Sequence, residues 1–275
     1  MPSYQNNEAK FIRDDERDWD LEEGSTSGQQ VQKCVLAADF VFVNNDDLGA
    51  VEAHRAKIRG HIEPCVKMMQ GVLEARRPLP EEVHMATAYS QSHGSACLKR
   101  HVGAVIVDTD GLSISMGFNE NPVGMLPCVN EYEYCYKDND MIAKMERMGK
   151  VYCSLCGYAV EKLKKPWKCP DCNNDMKKSL FTNRNMELCT AIHAEERAIR
   201  SLHGRKADGA TMYVTTFPCF QCARYIIDAG ITKVVYVEAY PIKESVDFLQ
   251  KHNVEVKPFS GFKARAFNTI YKSVE

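Results

Sequence analysis

The chain has no surplus of either charge: 35 Lys and Arg stand against 37 Asp and Glu, a net charge of −2. That removes the electrostatic case for a generic nucleic-acid binder, which needs a basic face to neutralise phosphates. No apolar run approaches the ~20 residues that span a bilayer, and the polar N-terminus is not a signal peptide. No membrane partner and a cytoplasmic location are the resulting expectations. The pattern G-x-x-x-x-G-K-[ST] is missing too. Gly24-Ser-Thr-Ser-Gly28 lacks its lysine and a preceding strand, so no ATP hydrolysis by this chain is expected. Cysteine, by contrast, is plentiful, with 12 in 275 residues. Six of these fall in three C-x-x-C pairs, a metal pattern of a reducing compartment rather than a disulfide scaffold. A composition of 44% apolar and 26% charged residues suits one large or two small globular domains.

Two stretches carry the chemistry. Ile192-His193-Ala194-Glu195-Glu196 reads H-x-E, and Phe217-Pro218-Cys219-Phe220-Gln221-Cys222 reads P-C-x-x-C. His193, Cys219 and Cys222 supply three metal ligands and leave a fourth position for water, which separates a catalytic zinc from a structural one. Zinc lowers the pKa of its water from near 16 to about 7. Glu195 is then the proton shuttle rather than a ligand. The i, i+3 spacing of Cys219 and Cys222 puts both sulfurs on one face of a helical turn. If that turn opens a helix, its free N–H groups favour thiolates. The bland alternative is a buried histidine beside an unrelated cysteine pair. The strand-like Thr211-Met-Tyr-Val-Thr-Thr216 leading into the second stretch argues against it.

In chain order, residues 1–28 are polar and acidic and read as a flexible arm. Residues 29–78 read as a helix, a short buried strand (Phe40-Val-Phe-Val43), an Asn-Asp turn, and helices over Leu48 to Arg59 and Ile62 to Arg76. Arg76-Arg-Pro-Leu-Pro80 marks a boundary. Pro80 with Glu81 and Glu82 then starts a helix that reaches about His93. His101 to Asp108 and Leu112 to Phe118 form a hairpin about Thr109-Asp-Gly111. After Cys222 come a helix capped by Gly230, a strand at Lys233 to Glu238, a helix from Pro241 to His252, a strand at Val254 to Pro258, and a helix from Gly261 to Tyr271.

About 70 residues separate the hairpin from His193, long for a connection inside a compact domain. They hold Cys153-Ser-Leu-Cys156, then twelve residues, then Cys169-Pro-Asp-Cys172. C-x2-C-x12-C-x2-C is a zinc ribbon, four thiolates closed to water, and the metal supplies the stability of so small a unit. Lys162, Lys164, Lys165, Lys168 and Trp167 give it a basic aromatic face, either solvated or a nucleic-acid contact. The methionines of Asp140 to Met148 suit helix packing.

Ser95-Ala-Cys-Leu-Lys-Arg-His-Val-Gly-Ala-Val-Ile-Val107, Gly117-Phe-Asn-Glu-Asn-Pro-Val-Gly124, the His193 motif and Thr211 to Gly230 resemble the deoxycytidylate deaminase family, over about Pro80 to Tyr271. The resemblance implies an α/β fold: a three-layer α/β/α sandwich on a five-stranded mixed sheet over residues 79–275. Here it carries an inserted zinc ribbon at about 150–175 and a small N-terminal α/β segment. It implies zinc-dependent hydrolytic deamination of dCMP or dCTP to the deoxyuridine nucleotide. It implies zinc ligands at His193, Cys219 and Cys222 and the acid/base at Glu195. Asn119 matches the family's sugar-binding Asn, though it also suits a turn after a strand. Arg100 is either a phosphate contact or a surface charge. Tyr240 stands where the family shapes its pocket, and a core or rim tyrosine fits equally. Glu120 replaces the second Gly of the family's usual G-[YF]-N-G, which changes the loop and its phosphate contacts.

Residues 29–78 loosely resemble the last part of a P-loop kinase-like domain. With the ribbon, this further resembles bacterial anti-phage members that deplete the deoxycytidine nucleotide pool, although those have a complete NTPase-like domain. The piece is a remnant of such a domain or a packing element. Two Zn2+ per chain (one catalytic, held by His193, Cys219 and Cys222, one structural, held by Cys153, Cys156, Cys169 and Cys172), a nucleotide substrate and a homo-oligomer are expected. An RNA or protein regulator is left open. The alternatives are a polynucleotide deaminase acting on tRNA or single-stranded DNA, and a non-catalytic zinc scaffold, against which the intact His193, Glu195, Cys219 and Cys222 speak.

Overall fold

The computed structural model describes residues 34–35, 37–43, 51–132, 135–137, 151–153, 155–156, 158–160, 168–174, 189–239 and 243–271. Chain contacts divide it into two compact units, one of Met1–His93, Val102–Phe118 and Ala194–Glu275, the other of Gly94–His101 and Asn119–His193. The Met-rich stretch and Tyr240 lie outside the described residues.

The first unit is built on a sheet of β2 (Gly103–Val107), β3 (Ser113–Phe118), β6 (Thr211–Thr216), β7 (Lys233–Glu238) and β8 (Glu255–Pro258). Their spatial order is β3-β2-β6-β7-β8. β3, β2 and β6 run antiparallel, and β6, β7 and β8 run parallel, so the five-stranded sheet is mixed. Successive strand residues point to opposite faces, and here both faces are covered. Ala104, Ile106, Met212, Val214 and Val234 meet the helices Ala194–Arg200 (α4), Phe220–Asp228 (α5) and Lys243–Lys251 (α6) through Ala198, Ile226 and Leu249. Val105, Val107, Tyr213, Val235 and Val237 meet Met85 and Ala88 of Pro80–Ser92 (α2) and Phe259. Helices on both faces of one sheet make the expected three-layer α/β/α sandwich. Each fully buried Ile, Met or Val contributes about 1.5–3 kcal/mol.

Two glycines let helices approach this sheet. A Cβ on Gly103 would run into the Ala88 carbonyl of α2, and one on Gly117 would lie 2.6 Å from the Ala194 carbonyl and the Ala198 amide of α4. Only a residue without a side chain fits at either place.

The N-terminal segment packs on the same unit. β1 (Phe40–Val41) pairs antiparallel with β9 (Gly261–Phe262). The rings of Phe40 and Phe262 sit 5.1 Å apart. Cys65 and Met68 of α1 (Val51–Met69) pack with Phe262 and with Ala266 of α7 (Ala264–Ile270). The Lys263 amide donates to the Asp39 carbonyl, and the Arg265 guanidinium pairs with Asp39 at 2.7 Å.

Here two sequence expectations are corrected. One helix, Val51–Met69, replaces the two expected. It stops at Gly71, which adopts φ 70°, while the amides of Gly71 and Val72 return to the carbonyls of Met68 and Lys67. That is a Schellman cap, and it frees residues 72–79 to run extended. The last helix starts three residues late, because 261–262 is a strand. There Gly261 has φ 150° and its missing side chain leaves room for Glu82.

In the second unit, Cys128–Glu131 (α3) is a single turn, and β4 (Val151–Tyr152) pairs antiparallel with β5 (Ala159–Val160). That small hairpin precedes and follows the first two ribbon cysteines.

Candidate active site

α4 is set by local chemistry. Glu195 and Glu196 occupy its first turn and Arg197 and Arg200 its last, the charge order that complements the helix dipole. Glu195 is 4% exposed, an unusual burial for a carboxylate with no structural duty evident from sequence. Gly117 brings the helix against β3, and Ser115 donates to the Ala198 carbonyl at 2.5 Å. His193 immediately precedes this helix.

The second motif follows β6, a strand buried along nearly its whole length. Phe217 donates its amide to the Glu238 carbonyl at 2.9 Å, which turns the chain off the sheet. Cys219 is the N-cap of α5, with φ −70° and ψ 168°, and Cys222 lies one turn on. Both cysteines are buried, on the one helix face that the i, i+3 spacing gives them. The ligand atoms of His193, Cys219 and Cys222 all lie within 4.8 Å of one another.

Electrostatics favour a cation here. The Cys222 thiol is held well above its ordinary range, first by the Cys219 sulfur beside it, then by burial, then by the negative charges of Glu195 and Glu196. The buried Cys222 sulfur beside carboxylates resists becoming a thiolate unless a cation joins it, and a coordinating metal deprotonates thiols outright. One imidazole and two thiolates are a donor set that zinc accepts.

Cys153, Cys156, Cys169 and Cys172 form the other group whose ligand atoms lie within 4.8 Å of one another. Cys153 is 3.6 Å from Cys172, and Cys156 is 3.7 Å from Cys169. The backbone of Cys156 brings the Cys153 thiol down to about 6, against the opposing effect of burial. Its own amide donates to the Tyr158 carbonyl, and the Cys169 amide donates to the Asn174 carbonyl, so each knuckle is closed by backbone.

Asn119 is buried and donates from Nδ2 to the Arg100 carbonyl at 2.9 Å, which joins two of the expected substrate residues through backbone. Cysteines to which the sequence assigned no role lie in the same unit. Cys189 bonds the His193 ring, and although burial pushes its thiol up, that bond and the Ala191 backbone bring it below its ordinary range. Cys97, Cys128, Cys135, Cys189 and Glu120 line one small open cavity of about 20 Å³. These four thiols are not among the groups that meet within 4.8 Å. The signal for Cys189 in the sequence is weak, a cysteine four residues before a histidine.

The zinc-binding region of cytidine and deoxycytidylate deaminases, as a family model, matches residues 80–238. Deoxycytidylate deaminase of Saccharomyces cerevisiae is 26% identical over 223 residues, covering 80% of this chain and 58% of that one. This chain therefore spans little more than half the length of the yeast relative. Deoxycytidylate deaminase of Enterobacteria phage T2 is 31% identical over 184 residues, 62% of this chain and 86% of that one. Among solved structures, dCMP deaminase from the cyanophage S-TIM5 is 23% identical, covers 67% of this chain and 100% of that one, and superposes with a TM-score of 0.41.

Proposed function

The chain belongs to the cytidine and deoxycytidylate deaminase family, and on that premise we propose that it hydrolyses the exocyclic amine of a deoxycytidine nucleotide, giving the deoxyuridine nucleotide and ammonia. The observation that carries this is the meeting of His193, Cys219 and Cys222 within 4.8 Å, with Glu195 buried two residues after the histidine. Zinc bound there would supply a water acidic enough to attack at neutral pH. The chain's own residues do the rest. Glu195 takes a proton from the attacking water and gives it to the ring nitrogen beside the attacked carbon. It then carries the second proton to the departing amine, so C–N breaks as C=O forms and ammonia leaves neutral. The low-dielectric surroundings of Glu195 make each transfer stronger than it would be in water.

Asn119 is assigned to the sugar and Arg100 to the phosphate, supported by the bond that joins their segments. Tyr240 keeps its assignment to the pocket from the family resemblance alone. Cys153, Cys156, Cys169 and Cys172 hold a second, structural zinc, supported by the closed grouping of their sulfurs. The names of the yeast and phage relatives favour dCMP. Use of dCTP, and depletion of the nucleotide pool against phage, rest on the resemblance of residues 29–78 and the ribbon to the anti-phage members. A cytoplasmic homo-oligomer is part of the same proposal. No helix among the described residues is long and apolar enough to cross a membrane.

The test is a panel of cytidine, deoxycytidine, CMP, dCMP, CTP, dCTP and a cytosine-containing oligonucleotide, read by product mass beside Glu195→Ala. Turnover of dCMP or dCTP is expected, with the variant at least ~100-fold slower and its metal content unchanged. Turnover of the oligonucleotide alone would overturn the substrate class and move the role to polynucleotide editing.

A further inference from the structure

The second unit contains a carboxylate whose work the deaminase chemistry does not explain. Glu120 stands where the family commonly has glycine. Oε2 accepts the Ala96 amide at 2.9 Å across 24 residues of chain, and Oε1 accepts the Asn121 amide at 2.8 Å. Its backbone is tied as well, with Glu120 donating to the Ile192 carbonyl at 3.1 Å and accepting from the Ile192 amide at 2.9 Å. Thr190 donates to the Asn121 side chain at 3.1 Å, and Asn121 in turn donates to the Leu126 carbonyl at 2.6 Å.

One residue thus joins three segments. The first, 94–101, bears Arg100; the second, 119–121, bears Asn119; the third, 189–193, bears His193. A glycine at 120 would keep the backbone bridge to Ile192 and lose both carboxylate bonds. The amides of Ala96 and Asn121 would then need other acceptors, and buried amides left without one are costly.

We propose that Glu120 is a positioning residue for the substrate: its carboxylate fixes the Arg100 and Asn119 segments against the strand bridge that precedes His193, so that sugar and phosphate are held in register with the metal ligands. This rests on the deaminase reading of the site. These bonds hold the loop in place without a substrate. The energetic benefit therefore falls on binding rather than on the chemical step.

The experiment compares the full chain with Glu120→Ala and Glu120→Gln. It measures kcat and KM for dCMP and dCTP, zinc content, and amide hydrogen exchange over residues 94–101 and 119–126. For Glu120→Ala, KM rises about tenfold with kcat changed by less than about threefold, zinc stays at the wild-type level, and exchange accelerates in both segments. Glu120→Gln keeps an acceptor oxygen and falls between the two. If Glu120→Ala does not fold, the Gln variant decides, by a raised KM or an unchanged one. Unchanged KM and unchanged exchange overturn the proposal. So does a fall of kcat together with zinc at constant KM, which marks a purely structural role. A wild type that turns over no nucleotide sinks the deaminase reading instead. Exchange in Glu120→Gln then decides the clamp, with loss of protection upholding it and retained protection overturning it.

Discussion

Glu82 is fully buried, and five donors converge on it, the most distant being the Tyr271 hydroxyl at 3.5 Å. Arg76 gives two bonds at 2.7 and 2.8 Å, the Leu79 amide one at 2.9 Å, and the Phe262 amide one at 3.1 Å. Burial alone would raise its carboxyl; the Arg76 guanidinium and the two amides outweigh that and place it below its ordinary value of 4.5. A depressed folded value means that the unfolded chain takes up the proton first as pH falls. The stabilisation is therefore complete above the unfolded value and is lost as pH drops through the folded one. Glu82→Gln should cost about 2–3 kcal/mol at neutral pH and flatten the acid limb of stability below about pH 4.5, read by thermal melts across pH. An acid limb identical to wild type would contradict this. The clustering of the candidate ligands was legible because each motif's spacing is local and its chemistry fixes residue type. The duties of Glu82 and Glu120 were not, because the amides they accept include ones from distant parts of the chain, and Cys189 was not, because a cysteine four residues before a histidine is a weak local signal. Glu82 read as a first-turn helix acid, which it also is.

At the scale of elements, periodicity and turn residues located most of the sheet. The hairpin about Gly111, the strand β6 and the Gly230 cap all stand where the sequence put them, at φ 82° for both glycines. The two departures have one cause each. Gly71 ended α1 earlier than its apolar pattern suggested, and strand pairing with Phe40 overrode the helical pattern at Gly261. The pairing partner is not written in a local window, whereas Gly71 is a local signal of the same kind as Gly230 that the apolar pattern outweighed. What the pattern could not reveal about Gly117 is its function: it sets how closely the helix bearing Glu195 lies on the sheet. Gly117→Ala should force α4 outward, because backbone rather than a flexible side chain stands 2.6 Å from the new carbon. The expected outcome is a loss of about 1–3 kcal/mol in stability with a further drop in kcat, seen by denaturant unfolding and steady-state kinetics. A variant with wild-type kcat would show that α4 has slack at this crossing.

For the whole molecule, the account requires two metals with different duties. Removing the ribbon metal should loosen the second unit, where thiolates replace a hydrophobic core; removing the other should stop turnover with the sheet intact. Cys153→Ser should therefore lower zinc from two per chain to one and reduce stability. Cys219→Ser should lower it to one and abolish turnover with little change in far-ultraviolet circular dichroism. A single zinc in the wild type would remove one of the two groups. The fold class, most of the order of elements and the two clusters of candidate ligands were readable from 275 residues because each is encoded by local signals. How the N-terminal segment joins the sheet was not, since β1 finds its partner 220 residues away in sequence, at β9.

The measurement that tests the central claim most directly is deamination of dCMP in water enriched in heavy oxygen. The account predicts deoxyuridine monophosphate carrying one heavy oxygen on the base, formed by the wild type and not by Glu195→Ala. Product without the label, or equal product from the variant, would contradict it.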